Sequence, residues 1–417
     1  MTDLLSRAPR KPFESIWLLL IAGLFAHLWL IYTGLRAPNT PMGDILFAYQ
    51  PWVQFMIDSK KLLGINVDWV YPYPAMIPMW ASALINPNDF QAGWLTIITI
   101  LNLLLVAMIA NFGRKNADSA LRFAAAWFWV FFLVVLGPVS ISRVDSFSVV
   151  VALLGVMALV NRKLNASTAW FTIGAAIKIW PAALLISAMA ASKYRARILI
   201  ATATTTASVL IVGFLLGANS SLFSFLMNQN DRGLQIESPI AGFFLWSGVA
   251  GLSNNEIYYD TVMLTFQVAG DGTSLISGLM TAAMAVALAI TAFLAFRAAK
   301  AGASYRAIMP IAVLTATLDL IVFNKVGSPQ FVTWLSVPII LGILFAAKNW
   351  RLPLFGVIAI ALLTNLVYPV FYQELLQMNP AALALVSLRN LLYIALLVWA
   401  NIQLSALGKK PKPVKVD

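Results

Sequence analysis

The chain contains a long succession of apolar runs, many of them close to the roughly 20 residues that a helix needs to cross a bilayer. Of its 417 residues, 61% are hydrophobic and only 11% are charged. A soluble domain cannot hide so many apolar runs in one core. The pattern predicts an all-α, polytopic membrane protein with about twelve transmembrane segments (eleven to thirteen). The predicted segments are residues 16–36, 93–112, 121–138, 146–161, 166–178, 181–191, 197–217, 274–297, 307–323, 330–347, 352–370 and 388–407.

The distribution of basic residues predicts the orientation. Most of the 28 Lys and Arg residues lie at the termini or in short segments that all fall on one side of these runs. Such a bias marks the cytoplasmic side of a membrane protein. We therefore expect cytoplasmic termini, 1–15 and the basic tail 408–417, around a single transmembrane domain, 16–407, in the plasma membrane. The net charge of +12 then reflects topology and contacts with membrane lipids, and no nucleic-acid partner is expected.

Residue types that are missing exclude several kinds of site. The chain has no cysteine and a single histidine, His27, inside the first apolar run. Disulfides and thiolate chemistry are excluded, and a histidine metal site or a Ser-His-Asp triad is not expected. The acids form no cluster suited to a divalent cation. We predict neither a metal nor another cofactor.

Two long connections, residues 37–92 and 218–273, fall on the predicted outer side. The first is rich in proline and aromatic residues, and the second combines Asn, Gly and Ser turns with the apolar stretches 222–227 and 240–249. Both are too aromatic to remain unfolded. They predict short amphipathic helices at the outer interface, with tryptophans at headgroup level: Trp52, Trp69, Trp80 and Trp246.

Asp44 is the candidate catalytic base. It follows the first apolar run, in Pro41-Met42-Gly43-Asp44, on the predicted outer side. At the start of an interfacial helix the dipole favours its carboxylate, which can then serve as a general base toward a hydroxyl nucleophile. A helix N-cap or a solvated loop acid is the alternative interpretation.

Isolated basic residues at the outer ends of the segments indicate an anionic ligand. Lys178 lies in the run 175–181 (AAIKIWP), and Lys325 lies in 324–330 (NKVGSPQ). Two lysines at one depth can hold a phosphate from two sides, although each can also snorkel to the surface. Arg389, at the outer start of the last segment, is a further candidate contact or an interface anchor.

Three other sites have a structural and a functional interpretation. Arg143 and Asp145, at the junction of the third and fourth segments, either pair with each other or face a ligand. The aromatic segment 69–74 (WVYPYP) either packs on sugar rings or belongs to an interfacial belt. For Arg232 and Glu237, in the second long connection, a surface or structural role is favoured over a catalytic one.

In this order along the chain, the pieces resemble the GT-C glycosyltransferases of glycosyltransferase family 87. That family includes actinobacterial α-1,2-mannosyltransferases that use polyprenyl-phosphate-mannose, and an arabinofuranosyltransferase branch. The more specific pieces are 175–181 and 324–330. The others are Gly43-Asp44, Tyr71 to Pro74, and the Arg143/Asp145 junction.

The resemblance implies a GT-C fold and an inverting transfer on the outer face, from a polyprenyl-phosphate-linked sugar to a cell-envelope glycolipid or polysaccharide. Asp44 would be the base. The donor phosphate would be bound by Lys178, Lys325, Arg143 and Arg389. The sugar or acceptor would be bound by Tyr71, Tyr73, Asp145, Asn324, Ser328, Gln330 and Glu237.

Mannose is the expected sugar. Arabinofuranose is kept as the alternative, because some mannosyltransferase members have a histidine-rich stretch where this chain has 324–330, a segment without histidine. A transporter or flippase of an anionic lipid is the alternative from another class. The chain shows no inverted repeat, which such a transporter commonly has.

Overall fold

The structure, a computed structural model, describes residues 12–111, 118–227, 232–261 and 263–409. The predicted cytoplasmic termini fall mainly on residues 1–11 and 410–417, which lie outside the described residues. The helices in the described part are α1 (Ile16–Arg36), α2 (Gln50–Ser59), α3 (Met76–Ile85), α4 (Phe90–Asn111), α5 (Ser119–Leu136), α6 (Val144–Val160), α7 (Leu164–Ile177), α8 (Ala182–Ala191), α9 (Arg195–Leu215), α10 (Ser224–Met227), α11 (Ala241–Val249), α12 (Thr273–Lys300), α13 (Tyr305–Val322), α14 (Val332–Leu344), α15 (Arg351–Asn365), α16 (Tyr372–Leu376) and α17 (Pro380–Leu407).

Eight helical segments of the described chain are long and apolar enough to cross a membrane: α1, α4, α5, α9, α12, α13, α15 with its extension to Val370, and α17. The prediction of an all-α membrane protein is confirmed. Each of the twelve predicted segments contains one helix. However, α6, α7, α8 and α14 have only 17, 14, 10 and 13 residues. The count of about twelve crossings therefore stays a prediction.

Local sequence explains where several helices begin. Ser304 accepts a hydrogen bond from the backbone N–H of Ala307, and Asn379 accepts one from Ala381 directly before Pro380. These side chains satisfy N–H groups that have no partner within the helix, and proline is well suited to a first helical turn because it lacks the N–H. The long helices α13 and α17 thus start at capped positions.

Burial separates the central helices from those that face lipid. Helix α6 and most of α13 and α14 are buried, whereas few residues of α9 and α12 are buried. On α9, for example, Leu199, Ile211 and Phe214 are each more than half exposed. Exposed apolar surface of this extent is stable only against hydrocarbon. The bundle therefore has a protein-lined centre and a lipid-facing periphery.

The long connection between α9 and α12 contains a sheet that the sequence reasoning missed. Strands β1 (Leu234–Gln235), β2 (Glu256–Asp260) and β3 (Thr265–Ala269) pair antiparallel in the order β1-β3-β2. The predicted short helices are present as α10 and α11, but interfacial helices alone are not the whole structure. β2 and β3 are rich in aromatic and β-branched residues, which favour strands.

The long connections converge at one end of the bundle, here called the loop end. Asn219 donates its backbone N–H to the carbonyl of Ile65 at 3.0 Å, which joins the two longest connections. Gln235 donates its backbone N–H to the carbonyl of Lys325, also at 3.0 Å. The loop end consists of residues 37–89, 137–143, 178–181, 216–227, 232–261, 263–272, 323–331 and 366–379.

Candidate active site

Asp44 is held at the loop end by a buried arginine. It lies between α1 and the π-helical turn Ile45–Tyr49, and its side chain makes no capping hydrogen bond. Instead, Arg143 Nη1 lies 3.2 Å from Asp44 Oδ1. The Arg143 side chain is 6% exposed, whereas the Asp44 side chain is 43% exposed. A buried guanidinium therefore forms an ion pair with a carboxylate that still faces solvent.

Asp145 has a partner of its own, so the local Arg143–Asp145 pair that the sequence allowed does not form. Lys178 Nζ lies 2.8 Å from Asp145 Oδ2, and Trp334 Nε1 donates to Asp145 Oδ1 at 2.8 Å. The Asp145 side chain is 1% exposed and that of Lys178 is 15% exposed. Asp145 lies in the first turn of α6, and Lys178 directly follows the last residue of α7. The two contacts of Asp145 therefore join the ends of α6 and α7 to each other and to α14.

A cavity of about 320 Å³ lies beside Lys178. This volume falls in the range of small-molecule sites. Stacked aromatic rings form one wall: Trp334 lies between Trp180 and Phe331, with centroid distances of 5.6 Å and 4.1 Å. Six residues predicted from the sequence line the cavity, namely Tyr71, Lys178, Asn324, Lys325, Ser328 and Gln330.

The cavity also contains Arg232, for which the sequence reasoning favoured a surface or structural role. Its Nε atom is buried and has no hydrogen-bond partner among the described residues. Arg232 is close enough to Lys178 for the two charges to repel each other. A basic residue in a long outer connection was the available signal, but the sequence does not show that this connection reaches the cavity.

The described lining holds three cations, Lys178, Lys325 and Arg232, and no acid. Asp145 neutralises one of them from behind the wall, so the cavity keeps a positive charge. Such a cavity is suited to an anion. No group of three or more acidic or histidine residues that could hold a metal ion occurs in the described part of the chain.

The segment 324–330 is fixed against the strand β1 and the loop after it. Ser328 Oγ donates to Gln235 Oε1 at 3.3 Å, and Asn324 Oδ1 accepts the backbone N–H of Val326 at 2.9 Å. A side chain at Gly327 would overlap the backbone of Ser238. Close backbone approach therefore requires glycine here. This contact positions the polar side of the cavity.

Glu237 and Arg389 lie outside this cavity, in an ion pair of their own. Arg389 Nη1 donates to Glu237 Oε2 at 2.6 Å, and both side chains are 3% exposed. Burial raises the pKa of Glu237 above its usual range, and the nearby Arg389 opposes that shift. The pair fastens α17 to the loop after β1. Its geometry suits a structural role.

Tyr73 is likewise outside the cavity, since its buried hydroxyl donates to the carbonyl of Val209 at 2.7 Å. Asp44 and Arg143 do not line the cavity either. Tyr71 lies near both groups: Lys178 Nζ lies 5.0 Å from the centre of its ring, and Tyr71 is also close enough to Arg143 to influence its electrostatics. The Asp44–Arg143 pair and the cationic cavity therefore share Tyr71 as a neighbour.

A family model described as glycosyltransferase family 87 matches residues 69–323, which is more than half of the chain. The chain belongs to glycosyltransferase family 87. It is therefore a membrane glycosyltransferase that uses a sugar donor and an acceptor in the bilayer. No curated protein matches it. Lys178 and Arg232 lie within the matched residues, whereas Asp44 and the segment 324–330 lie outside them.

Proposed function

We propose that this glycosyltransferase transfers a sugar, mannose in the first place, from a polyprenyl phosphate to a glycolipid or polysaccharide of the cell envelope. The transfer takes place on the outer face of the plasma membrane and inverts the anomeric carbon. One arrangement carries the proposal: an exposed carboxylate, Asp44, paired with Arg143, lies at the same end of the bundle as a cavity whose charged lining, among the described residues, is cationic.

Asp44 is suited to the role of base because Arg143 pairs with its carboxylate while the carboxylate stays accessible from the solvent. Arg143 contacts Oδ1, and nearly half of the Asp44 side chain is exposed. An acceptor hydroxyl can therefore reach the carboxylate without breaking a buried ion pair. A well-placed general base contributes about 10²- to 10⁴-fold to a rate.

The cationic cavity is suited to the leaving phosphate. A polyprenyl phosphate leaves as an anion, so it needs positive charge more than it needs a general acid. Lys178 and Lys325 offer ammonium groups, and Arg232 adds a guanidinium whose Nε has no hydrogen-bond partner among the described residues. The polar side chains of Asn324, Ser328 and Gln330, in the same lining, can bind the sugar hydroxyls, and Tyr71 can pack against the sugar ring.

Another part of the cavity lining supports a lipid-linked donor. It contains Phe225 and Leu226 of α10, and Thr281 and Met284 of α12. Only a small part of α12 is buried inside the protein. An isoprenoid chain that reaches the cavity along this part of the lining stays in contact with hydrocarbon, while its phosphate meets the cations.

In the proposed step, the acceptor oxygen attacks the anomeric carbon and loses its proton to Asp44. A carbon–oxygen bond forms to the acceptor, and the bond between the anomeric carbon and the phosphate oxygen breaks. Its electron pair leaves with the phosphate, where the cations stabilise it. One displacement inverts the configuration and needs no covalent enzyme intermediate.

The test is transfer by purified protein in detergent, with defined polyprenyl-phospho-sugars and mass spectrometry of the extracted products. Asp44→Asn keeps an oxygen for Arg143 but accepts no proton, so kcat should fall about 10²- to 10⁴-fold. Asp58→Asn is the matched control, because Asp58 is an exposed acid of α2 in the same connection. Near-wild-type transfer by a folded Asp44→Asn protein would refute the assignment.

The same assay separates the alternatives. Mannose and arabinofuranose donors, supplied in parallel, identify the sugar. A transporter or flippase would form no product in detergent, where no second compartment exists. Product in that preparation supports the transferase, and its absence with every donor and acceptor tried in a folded protein argues for the transporter.

A further inference from the structure

A second cavity, of about 870 Å³, lies at the other end of the helices. Tyr305 and Arg306, at the start of α13, line it, whereas Leu320 and Phe323, at the end of α13, line the candidate active site. A rise of 1.5 Å per residue separates these positions by about 25 Å, close to the thickness of a hydrocarbon core. The two cavities therefore belong to opposite membrane faces.

The charge of the second cavity has one sign. Six basic residues line it and, among the described residues, no acid does. They lie at the ends of α6, α9, α12 and α13 and in the connection between α8 and α9. The six are Arg162, Lys193, Arg195, Arg197, Lys300 and Arg306.

Aromatic rings hold several of these cations in place. The Arg195 guanidinium lies 4.7 Å and the Lys300 ammonium 4.9 Å from the centre of the Phe296 ring. Arg306 lies 5.2 Å from the centre of the Phe345 ring. Cations over ring faces keep a defined position. A positive-inside bias explains basic loops but does not require them to surround one cavity.

A buried hydroxyl in the same cavity lacks a partner. Tyr305 lines the cavity, and its oxygen is buried without a hydrogen bond to any described residue. Buried polar groups normally have a partner, because an unsatisfied hydroxyl is unfavourable. A bound acceptor oxygen would supply one.

From these observations we propose that the second cavity is a binding site for a phosphate-bearing anion. Guanidinium and ammonium groups recognise phosphate oxygens, and a ligand with more than one negative charge relieves the mutual repulsion of the six cations. The Tyr305 hydroxyl donates to one oxygen of the ligand. The phosphate comes either from an anionic lipid headgroup, which can enter beside the lipid-facing helices α9 and α12, or from a soluble phosphate compound.

The test uses the full-length protein and three variants. Tyr305→Phe removes only the hydroxyl. Lys193→Gln/Lys300→Gln removes two exposed cations of the cavity. Lys348→Gln/Arg351→Gln is the matched control, because it removes two exposed charges at the same end of the bundle that do not line the cavity.

Two arms separate the sources of phosphate. In detergent, inorganic pyrophosphate is titrated while thermal unfolding is followed, since a ligand of the folded state raises the midpoint. In the second arm, the protein is placed in nanodiscs in which phosphatidylglycerol and phosphatidylcholine compete for the site. The protein is then released from the nanodiscs, and native mass spectrometry counts the lipid molecules that stay bound.

Saturable binding in either arm supports the site if it depends on the cavity residues. Affinity should fall about three- to tenfold in Tyr305→Phe and about tenfold in the double cavity variant, and less than about twofold in the control. Pyrophosphate binding indicates a soluble ligand, and selective retention of phosphatidylglycerol indicates a headgroup. Absence of saturable binding in both arms, or equal losses in the cavity and control variants, would overturn the proposal.

Discussion

Replacing Lys178 by methionine tests whether its ammonium group binds the donor or only balances Asp145. Methionine keeps most of the apolar stem and removes the charge. In the structure this leaves Asp145, whose side chain is 1% exposed, with the Trp334 N–H as its remaining hydrogen-bond donor at 2.8 Å. The substitution therefore perturbs a buried acid and the cavity at once.

The expected loss of stability is large because the carboxylate loses its counter-charge inside the protein. Removing one partner of a buried pair typically destabilises a protein by about 3–5 kcal/mol. The Trp334 hydrogen bond offsets part of this, so the lower end of the range is expected. Tryptophan fluorescence during thermal unfolding in detergent will measure the change.

Adding Asp145→Asn to Lys178→Met separates stability from function. The double variant has no unpaired charge, so most of the lost stability should return. Transfer should not return with it. A charge-assisted hydrogen bond to the leaving phosphate is worth about 1.5–3 kcal/mol, which corresponds to a loss of about 10- to 150-fold in kcat/KM for the donor.

The refuting results are specific. If the folded double variant recovers wild-type kcat/KM, then Lys178 serves only to neutralise Asp145, and its proposed contact with phosphate is wrong. If the single variant keeps wild-type stability, then the buried ion pair does not contribute as the geometry requires. Donor KM and kcat should be measured separately, because loss of a contact made only in the transition state lowers kcat.

Two further predictions concern contacts that position the site. Arg389→Met should destabilise the protein by roughly 3–5 kcal/mol in thermal unfolding, because Glu237 stays buried without a counter-charge. Adding Glu237→Leu should restore most of the lost stability. Persistence of the full loss in the double variant would contradict this. Gly327→Ala should lower stability by about 1–3 kcal/mol and raise the donor KM, because its Cβ would overlap the backbone beside segment 324–330. Gly242→Ala, whose Cβ would meet open space, is the control, and equal effects of both substitutions would refute the packing argument.

Interactions between residues close in sequence were predicted better than pairings across long sequence distances. The segment 175–181 contains the turn between α7 and α8, in agreement with the separate predicted segments 166–178 and 181–191. The antiparallel pairing of β2 and β3 was missed because both segments were interpreted only as interfacial connections, although they contain strand-forming residues. The prediction for Asp44 as a base remains to be tested, and the structure adds that Arg143 pairs with it.

The sequence by itself determined that this protein spans a membrane and is built of helices, because an apolar run must satisfy its own backbone hydrogen bonds within the bilayer. It also identified most of the polar residues that line the cavity. Only the tertiary structure decided their partners: Asp145 binds Lys178 across 33 positions, Arg389 binds Glu237 across 152, and Arg232 reaches the cavity from a distant loop. The physical reason is that the length and composition of an apolar run are enough to mark a membrane helix, whereas the meeting of particular helix ends depends on how all of the helices pack together.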